Sequence, residues 1–576
     1  MKYSLIKPLN KEYSIIEQIL TNRGISIDKI EKYLNTNEES VLHPLLLDNM
    51  IDGIQMLMKH IYKENDLMIQ VDSDCDGMTS AAALINYLYY LFPAYVQNHV
   101  YYRLHTNKHH GIIAKTVSEN IKLVIVPDAS SNDYEIHKEL KERGIDVLIL
   151  DHHEAEEVSK YACVINNQLC NYPNKTLSGV GIVYKFCSCI DSYLKTNHSE
   201  KILDLVSLGM IADMMDVREC ETRYLIDKGL KNITNPFFKE MVSKQEYSLR
   251  NDGITPFGIA FYIVPYINAT IRVGSPEEKK ILFESMLDFK AYDLIDSTKR
   301  GESGRTETRV EQACRTCSNI KNKQTRLRDT NVELIEKIIE EKELLNNKIL
   351  IVPVNFEMDT NLTGLIANQL MSKYQRPVII LHQKEGYLWE GSGRGYEKSD
   401  LHNFKDFINN SGLIEYGEGH QNAFGIGIKD GNLNDFIKYC NKQLKDYDFS
   451  PKYLVDYIYD INNINSNDIL KIAELKPIYG QNLEEPLIAI ENIKITSENL
   501  KLMSENKNPT LKISLFNGLD LIKFKSSKEE YESLLSDGCI VVNIVGKCNS
   551  NEWNGKINPQ ITIEDYEIVN KINYYF

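Results

Sequence analysis

The sequence predicts an α/β protein: a doubly wound parallel sheet, a long connecting helix, a second α/β domain and a β-rich C-terminal domain. Between residues 66 and 230, short apolar runs alternate with helix-length segments, which is typical of βαβ units. The alternation returns in residues 348–445, and strand-like runs follow a helical linker after residue 446. A chain of 576 residues has room for three or four domains.

The first apolar run, residues 67–71, leads into an acidic turn with Asp72, Asp74 and Asp76, and a helical run follows. Three carboxylates within five residues repel one another unless a cation or hydrogen-bond donors compensate. Clustered carboxylate oxygens are the usual ligands of divalent metal ions. Taken alone, the same turn could simply cap the helix or form an isolated calcium loop.

Two later strand-like runs also end in metal-ligating side chains. Residues 123–126 lead to Asp128, and residues 147–150 lead to the Asp-His-His triplet 151–153. The carboxyl ends of parallel strands meet at one edge of a sheet, where α/β proteins bind their ligands. The residues expected to converge there are Asp74, Asp76, Asp128, His152 and His153. That set is sufficient for two divalent ions about 4 Å apart, an arrangement that hydrolyses phosphoesters.

Two further features lie between the triplet and residue 230. The glycines of residues 178–184 permit a tight turn before a helix, for which a packing role is favoured over dinucleotide binding. An apolar helix over residues 202–211 is followed by Asp213, which adds a further candidate ligand to the three strand-end clusters. Residues 1–65 show helical periodicity and contain no candidate functional residues.

The order Asp-x-Asp-x-Asp-Gly, a second Asp after a strand, Asp-His-His and Leu-Gly-x-x-Ala-Asp resembles the four motifs of the DHH phosphoesterase superfamily. Within it, residues 71–77 and 208–213 are most similar to RecJ-type single-strand exonucleases. Residues 265–272 resemble that family's Pro-x-Ile-Asn-Ala-x-Gly-Arg segment, with Ile271 in place of Gly. The resemblance implies that Asn268 and Arg272 contact phosphate.

The resemblance continues to the C-terminal end. Residues 391–395 and 416–425 are similar to the glycine-rich loops of the DHHA1 domain, with Gly395 in place of Ser and Glu418 inserted into a Gly-Gly pair. Residues 477–486 and 551–555 resemble parts of the RecJ OB-fold, a barrel that binds single strands. The implied phosphate- or DNA-binding residues are Ser392, Arg394 and His420, and the candidates for base stacking are Trp553 and Phe524.

These similarities divide the chain into five expected parts. They are an N-terminal helical segment (1–65), a DHH phosphoesterase domain (66–298), a basic connecting helix (299–346), a DHHA1 domain (347–446), and a linker helix with an OB-fold β-barrel (447–576). The departures at Ile271, Gly395 and Glu418 indicate a divergent member, from a cell or from a phage or prophage.

The resemblance also implies the cofactors and the roles at the site. Two ions, Mn²⁺ or Mg²⁺, are expected on Asp74, Asp76, Asp128, His152 and Asp213. His153 is expected to contact the scissile phosphate, with Arg272 on the opposite wall. Asp151 would orient His152, and Asp72 would support the site.

Composition limits the function. The net charge of −15 is unusual for a nucleic-acid binder, but residues 299–328 contain nine basic and three acidic residues and form a candidate track for DNA. Eleven cysteines include one C-x-C and one C-x-x-C pair, for which buried free thiols are favoured over a zinc site. No apolar run reaches the roughly 18 residues of a membrane span, and the N-terminus lacks the apolar region of a signal peptide, so a cytoplasmic protein is expected. A monomer is expected as well.

The expected function is metal-dependent hydrolysis of single-stranded DNA, 5′→3′, in repair or recombination. A single-strand-binding protein or a helicase is a candidate partner. Two alternatives stay open: a DHH phosphodiesterase for short oligonucleotides or cyclic dinucleotides, and a non-catalytic DNA-bound scaffold. The basic segment and the barrel disfavour a small substrate, and the intact motifs disfavour a decayed site.

Overall fold

The computed structural model describes residues 1–106, 109–250, 252–301, 304–384, 386–504, 508–516, 518–535, 538–553 and 555–572, without the side chains of Asn361 and Trp553. The chain divides into two compact units. One unit contains residues 23–321 and 474–485. The other contains residues 1–22, 322–473 and 486–576. The first unit carries the acidic motifs.

The N-terminal elements and the parallel sheet come first along the chain. They are β1 (Lys2–Leu5), α1 (Ile15–Asn22), α2 (Ile30–Leu34), α3 (Met50–Tyr62), β2 (Leu67–Val71), α4 (Cys75–Leu91), α5 (Pro93–His99), β3 (Val100–Leu104), β4 (Leu123–Pro127), α6 (Tyr134–Glu142), β5 (Asp146–Asp151), β6 (Cys163–Asn166), α7 (Gly179–Leu194) and α8 (Leu203–Ala212).

The parallel sheet has the strand order β3-β2-β4-β5-β6. Every residue of β2 and β4 is buried, because both faces of a parallel sheet are covered. The order reverses between β2 and β4, and ligands of doubly wound folds bind at such a switch point. Asp72 follows β2, and Asp128 follows β4. The fold therefore places the first two acidic motifs at the expected binding edge.

Helices and one hairpin complete this part of the chain. They are α9 (Cys220–Lys231), α10 (Pro236–Lys244), α11 (Glu246–Leu249), α12 (Pro256–Tyr262), α13 (Val264–Val273), α14 (Pro276–Ser285), β7 (Leu294–Asp296), β8 (Thr306–Thr308) and α15 (Arg309–Glu341). The boundary between the two units falls within α15, after Lys321.

The second unit contains a mixed five-stranded sheet of order β12-β13-β11-β10-β9, in which only β9 and β10 are parallel. Its core includes Ile351, Ile379 and Ile426. Its elements are β9 (Leu350–Val354), α16 (Thr363–Tyr374), β10 (Val378–Lys384), β11 (Leu388–Arg394), α17 (Phe404–Asn409), β12 (Tyr416–His420), β13 (Ala423–Lys429) and α18 (Asp430–Gln443).

A seven-stranded sheet of order β15-β16-β20-β21-β19-β18-β17 follows. The last elements are β14 (Lys452–Val455), β15 (Tyr457–Asp460), α19 (Ser466–Glu474), β16 (Leu487–Ile495), β17 (Leu500–Met503), β18 (Thr510–Ser514), β19 (Asp520–Lys523), α20 (Lys528–Leu534), β20 (Cys539–Trp553) and β21 (Lys556–Ile572). Ile15 and Ile19 of α1 belong to the apolar core of this sheet, and β1 pairs in parallel with β14.

The predicted fold class is confirmed, and two local expectations differ from the structure. Residues 1–65 contain β1 and are shared between the two units, because α1 completes the C-terminal core. The long helix, Arg309–Glu341, agrees with the helical pattern of residues 311–343, but the start of the expected segment 299–346 is not helical: residues 299–301, 304 and 305 lie in the β7–β8 connection. Glu302, which entered the charge count, lies outside the described residues.

Several cations of the basic segment are paired with acids. Arg309 Nε lies 3.0 Å from Glu284, Lys299 lies 3.6 Å from the buried Glu307, and Arg315 also pairs with Glu307. These pairs weaken the expectation that the segment is an open track for DNA. The pairs Cys187–Cys189 and Cys314–Cys317 consist of buried free thiols, as predicted. None of the described helices is long and apolar enough to cross a membrane.

Candidate active site

The carboxylates and imidazoles of the three strand-end motifs and of Asp213 converge, as expected. Ligand atoms of Asp76, His152 and Asp213 lie within 4.8 Å of one another. The same limit holds for one group formed by Asp72, Asp74 and Asp128, and for another formed by Asp128, Asp151, His152 and His153. Asp128 belongs to two of these groups and lies at the centre of the site.

Two backbone features position the acids. Asp128 has φ = 68°, in the left-handed region, directly after β4. A non-glycine residue there costs roughly 1–2 kcal/mol, a strain that is typical of functional sites. Asp213 ends α8, and Met214 follows with φ = 57°. The amides of Met214 and Met215 bond to the carbonyls of Ile211 and Met210, as in a Schellman motif, so the chain reverses directly after Asp213.

The polar atoms at the centre are buried and unsatisfied. Among the described residues, neither oxygen of Asp128 nor Nε2 of His152 has a hydrogen-bond partner. His152 Nε2 is 3.2 Å from Asp128 Oδ1 and 3.3 Å from Asp213 Oδ2, close enough for a shared ion but without hydrogen-bond geometry. Buried polar atoms without partners are costly, and a cation on these atoms would remove the cost.

The charges of the cluster indicate the same missing partner. Burial, together with Asp76 and Asp74, raises the pKa of Asp128 well above its usual range. Burial and the charge of Asp76 raise the pKa of Asp213 to about 8, and burial and Asp74 raise that of Asp76 to about 6. Burial lowers the pKa of His152 to about 4, and the neutral imidazole is the form that binds metal. The donor set fits divalent ions that accept oxygen and imidazole ligands.

Asp151 holds His153. Its Oδ1 accepts hydrogen bonds from His153 Nδ1 at 2.8 Å and from the backbone amides of His152 and His153. Sequence reasoning assigned Asp151 to the His152 ring, but the imidazole that it orients is that of His153. This bond raises the pKa of His153 to about 9. Burial alone would raise the pKa of Asp151, but the bond from His153 holds it below its usual range.

The N-terminus of α7 holds Asp76. Ser178 Oγ donates to Asp76 Oδ1 at 2.9 Å, and Gly179 N donates to Oδ2 at 2.7 Å. A Cβ on Gly179 would lie 2.4 Å from that of Asp128, and a Cβ on Gly209 would lie 2.4 Å from Asp76 Oδ1. Gly179 therefore allows α7 to approach Asp128, and Gly209 allows α8 to approach Asp76.

Two functional neighbours were missed by sequence reasoning. His110 Nδ1 bonds to Asp72 Oδ2 at 2.6 Å, so the expected supporting residue Asp72 orients an imidazole. Asn166, at the end of β6, donates to Ser131 Oγ at 2.8 Å and to the carbonyl of His153 at 2.9 Å. Ser131 N in turn donates to Asp151 Oδ2. The adjacent histidines at 109–110 were a signal for the first, whereas Asn166 carries no local signal.

Asn268 and Arg272 lie one turn apart on α13, half-buried and exposed respectively. Within the described part of the chain, neither has a hydrogen bond or ion pair with the acidic cluster, so their predicted phosphate contacts remain predictions. Ile271 is buried within the same regular helix.

The DHHA1-like residues form a separate polar site. Arg394 and His420 line one pocket of about 490 Å³ with Asn368, Gln375, Tyr396, Lys398 and Asn422. Ser392 bonds to Thr363 at 2.8 Å and is not part of the lining. A Cβ on Gly395 would lie 2.2 Å from Asn422 Oδ1, which explains why Ser is absent there. Glu418 fits the regular pairing of β12 with β13.

The two candidates for base stacking have different outcomes. Phe524 directly follows β19, and its side chain is exposed. The side chain of Trp553 and residue Asn554 of the similar segment lie outside the described residues.

Three domain families match the chain in order. The DHH family, N-terminal domain, matches residues 66–210; the DHHA1 domain matches 346–446; and the RecJ OB domain matches 455–565. The SPbeta prophage-derived protein YorK of Bacillus subtilis (strain 168), provisionally named a single-strand DNA-specific exonuclease, is 39% identical over 576 residues. That match covers 99% of this chain and 98% of YorK.

The chain belongs to the RecJ family. A further RecJ of Bacillus subtilis (strain 168), a single-stranded-DNA-specific exonuclease, is 24% identical over 97% of this chain and 69% of its own. The crystal structure of RecJ with Mn²⁺ from Thermus thermophilus is similar to this RecJ-family chain with a TM-score of 0.68 and 16% identity. The similarity covers 99% of this chain and 80% of that one, and it confirms the fold.

Proposed function

We propose that this RecJ-family chain is a metal-dependent exonuclease that degrades single-stranded DNA 5′→3′ to mononucleotides. The observation that carries the proposal is the central cluster, where Asp128 and His152 present three buried atoms without a hydrogen-bond partner among the described residues. Relatives that share the fold over nearly the whole chain are named single-strand DNA-specific exonucleases. The 5′→3′ direction and a role in repair or recombination rest on the motif resemblance.

Five side chains would hold the metal. They are Asp74, Asp76, Asp128, His152 and Asp213. Asp128 belongs to two of the ligand groups, and with the other four side chains it would hold two ions, either Mn²⁺ or Mg²⁺. When bound, the ions would activate water and stabilise negative charge on the phosphate.

The chain's own residues would orient the substrate. The bond from His153 Nδ1 to Asp151 fixes the ring and leaves Nε2 to donate to an oxygen of the scissile phosphate. His153 is 56% exposed while Asp151 is 1% exposed, so the imidazole can meet a substrate that its partner cannot reach. The positive imidazole would stabilise the charge that develops in the transition state.

The polynucleotide would be bound by residues outside the acidic cluster. Arg394 and His420 share a pocket large enough for a nucleotide-sized group, and a guanidinium fork suits a phosphodiester. Ser392, Asn268 and Arg272 are proposed as further contacts, with Phe524 and Trp553 for base stacking. A single-strand-binding protein or helicase as partner, and a monomeric state, stay predictions.

The test uses single-stranded DNA labelled at the 5′ or the 3′ end, with Mn²⁺, Mg²⁺ or a chelator, and Asp128→Asn beside the wild type. The proposal predicts immediate release of the 5′ label as a mononucleotide, lost with chelator and in the variant. Cleavage of dinucleotides or cyclic dinucleotides but not of a 40-mer would identify a small-substrate phosphodiesterase instead. Metal binding without any cleavage would contradict the exonuclease and support a scaffold.

A further inference from the structure

The site contains two aspartate–histidine pairs of the same construction. In one, Asp151 is 1% exposed and holds Nδ1 of His153 at 2.8 Å. In the other, Asp72 is 2% exposed and holds Nδ1 of His110 at 2.6 Å. Both imidazoles are largely exposed, at 56% and 68%. Each pair therefore presents a fixed imidazole on a buried carboxylate.

The two pairs flank the acidic centre. Asp72 follows β2 and Asp151 ends β5, and β4 with Asp128 lies between those strands. Asp72 and Asp151 each offer an atom within 4.8 Å of Asp128. Two strand spacings separate β2 from β5, about 10 Å. The two carboxylates that hold the imidazoles thus lie on either side of Asp128.

Asp72 acts as an orienting group in this arrangement. Its Oδ2 accepts from His110 Nδ1 and its Oδ1 accepts from Gly111 N at 3.1 Å. Burying a carboxylate costs more free energy than an ion pair with an exposed imidazole gains. A role for the Asp72–His110 pair in stabilising the surface loop is therefore disfavoured. With Nδ1 engaged, Nε2 of His110 has no hydrogen-bond partner among the described residues and is the nitrogen that can bind a ligand.

We propose that His110 is a second substrate-binding imidazole, which donates from Nε2 to a phosphate of the DNA strand other than the scissile one. The inference rests on the proposed function. A DNA strand carries several phosphates. The scissile phosphate would contact the imidazole of His153, and another phosphate of the same strand would contact that of His110. A charge-assisted hydrogen bond of this kind changes binding more than it changes the chemical step.

The first test compares His110→Gln with the wild type in steady-state cleavage of a single-stranded 20-mer. The expected result is a KM about ten-fold higher with kcat within about three-fold, the loss of one charge-assisted hydrogen bond. Asp72→Asn should raise KM in the same direction because it releases the ring. The matched control is His109→Gln, in the same loop, whose side chain makes no carboxylate contact among the described residues. Mn²⁺ binding by calorimetry should be equal in His110→Gln and the wild type.

The second test identifies the phosphate. Strands with one neutral methylphosphonate at each position in turn are cleaved by the wild type and by His110→Gln. The proposal predicts one linkage, not the scissile one, whose neutralisation slows the wild type about ten-fold and the variant hardly at all. Equal penalties at every linkage in both proteins, or a loss of Mn²⁺ binding in His110→Gln, would overturn it. A wild type that does not cleave the strand would overturn the proposed function and this inference together.

Discussion

The acidic cluster and the Arg394–His420 pocket differ in almost every physical property. The cluster is buried and acidic, and several of its polar atoms have no hydrogen-bond partner among the described residues. Its members are distant in sequence: Asp76 and Asp213 are 137 residues apart. The pocket is lined by three basic side chains, Arg394, Lys398 and His420, and by one acid, Glu397, and Arg394 donates to the carbonyl of Gly393 at 2.7 Å. We propose that the chemistry takes place at the cluster and that the pocket binds substrate.

The two sites also differ in how unfavourable their conformation and burial are without a ligand. Asp128 combines a left-handed backbone, a buried carboxylate and no described hydrogen-bond partner, all of which cost stability without a ligand. In the pocket, burial lowers the pKa of Arg394, but its guanidinium keeps a hydrogen bond. Removing a cluster acid should therefore raise the stability of the metal-free protein and lower its activity, whereas removing the pocket arginine should lower substrate affinity alone.

Asp128→Asn should have the largest effect. We expect kcat to fall at least about 1,000-fold, because a proposed metal ligand is weakened. We also expect the metal-free variant to melt a few degrees above the metal-free wild type, because the amide removes the cost of burying or protonating this carboxylate. Circular dichroism melting in EDTA and the end-label assay measure the two effects.

The control is Asp48→Asn, which neutralises an exposed carboxylate of the same unit. If the metal-free Asp128→Asn protein melts below the wild type and stays active, the cluster is neither destabilising without metal nor needed for cleavage. The proposed difference between the cluster and the pocket would then be wrong.

Asn166→Ala should have an intermediate effect. The side chain supports both Ser131 and the carbonyl of His153, so its loss should loosen the Asp151–His153 pair. We expect kcat to fall about 10–100-fold with KM nearly unchanged, as for outer-shell partners of metal ligands. Asn167→Ala removes a neighbouring buried amide that bonds to Asn174 instead, and it should keep its kcat. Equal kcat losses in both variants would indicate a general packing defect.

Arg394→Ala should raise KM about ten-fold with kcat within about three-fold, because a lost phosphate contact affects substrate and transition state alike. Steady-state cleavage of a single-stranded oligonucleotide checks this. Lys438→Ala, which removes an exposed cation paired with Asp435 in the same unit, is the control. A fall in kcat with constant KM would contradict the division between the two sites.

The smallest effect concerns pH. The folded-state pKa values of Asp76 and Asp213 are raised to about 6 and about 8, so their protonated forms favour the fold. Without metal, the stability that they contribute is present below about pH 4 and is lost as the pH rises towards 8. His153 acts in the same direction between about pH 6.5 and its pKa of about 9.

We therefore expect the melting temperature in EDTA to fall by a few degrees from pH 5 to pH 8, and Asp213→Asn to show a shallower fall. Saturating Mn²⁺ should reduce or reverse the slope, because metal and protons compete for the same oxygens. If the melting temperature in EDTA depends on pH identically in the wild type and in Asp213→Asn, Asp213 does not cause the pH dependence.

Much of this architecture could be predicted because its signals are local. Apolar runs ending in acids identify β2, β4 and β5, and the switch-point rule places Asp74, Asp128 and the histidine pair together. What failed depends on contacts distant in sequence. The pairing of β1 with β14 and the contribution of α1 to the C-terminal core leave no local pattern.

The hydrogen-bond partners of individual side chains could not be predicted from the sequence either. The Asp-His-His motif does not specify which imidazole bonds to Asp151, and in the structure it is that of His153. Asp72 resembled a ligand or support, but its partner His110 arrives from a loop 38 residues later. The left-handed φ of Asp128 has only a weak signature in the sequence: Pro127 cannot adopt a positive φ, and aspartate adopts one more readily than most residues but uncommonly.

We propose that the cluster around Asp128 holds two divalent ions. Isothermal titration of Mn²⁺ into chelator-treated protein measures this, with the wild type and Asp128→Asn side by side. We expect two ions per wild-type chain, at most one per variant chain, and a rise in melting temperature on binding in the wild type. No Mn²⁺ binding by the wild type, or equal binding by both proteins, would contradict it.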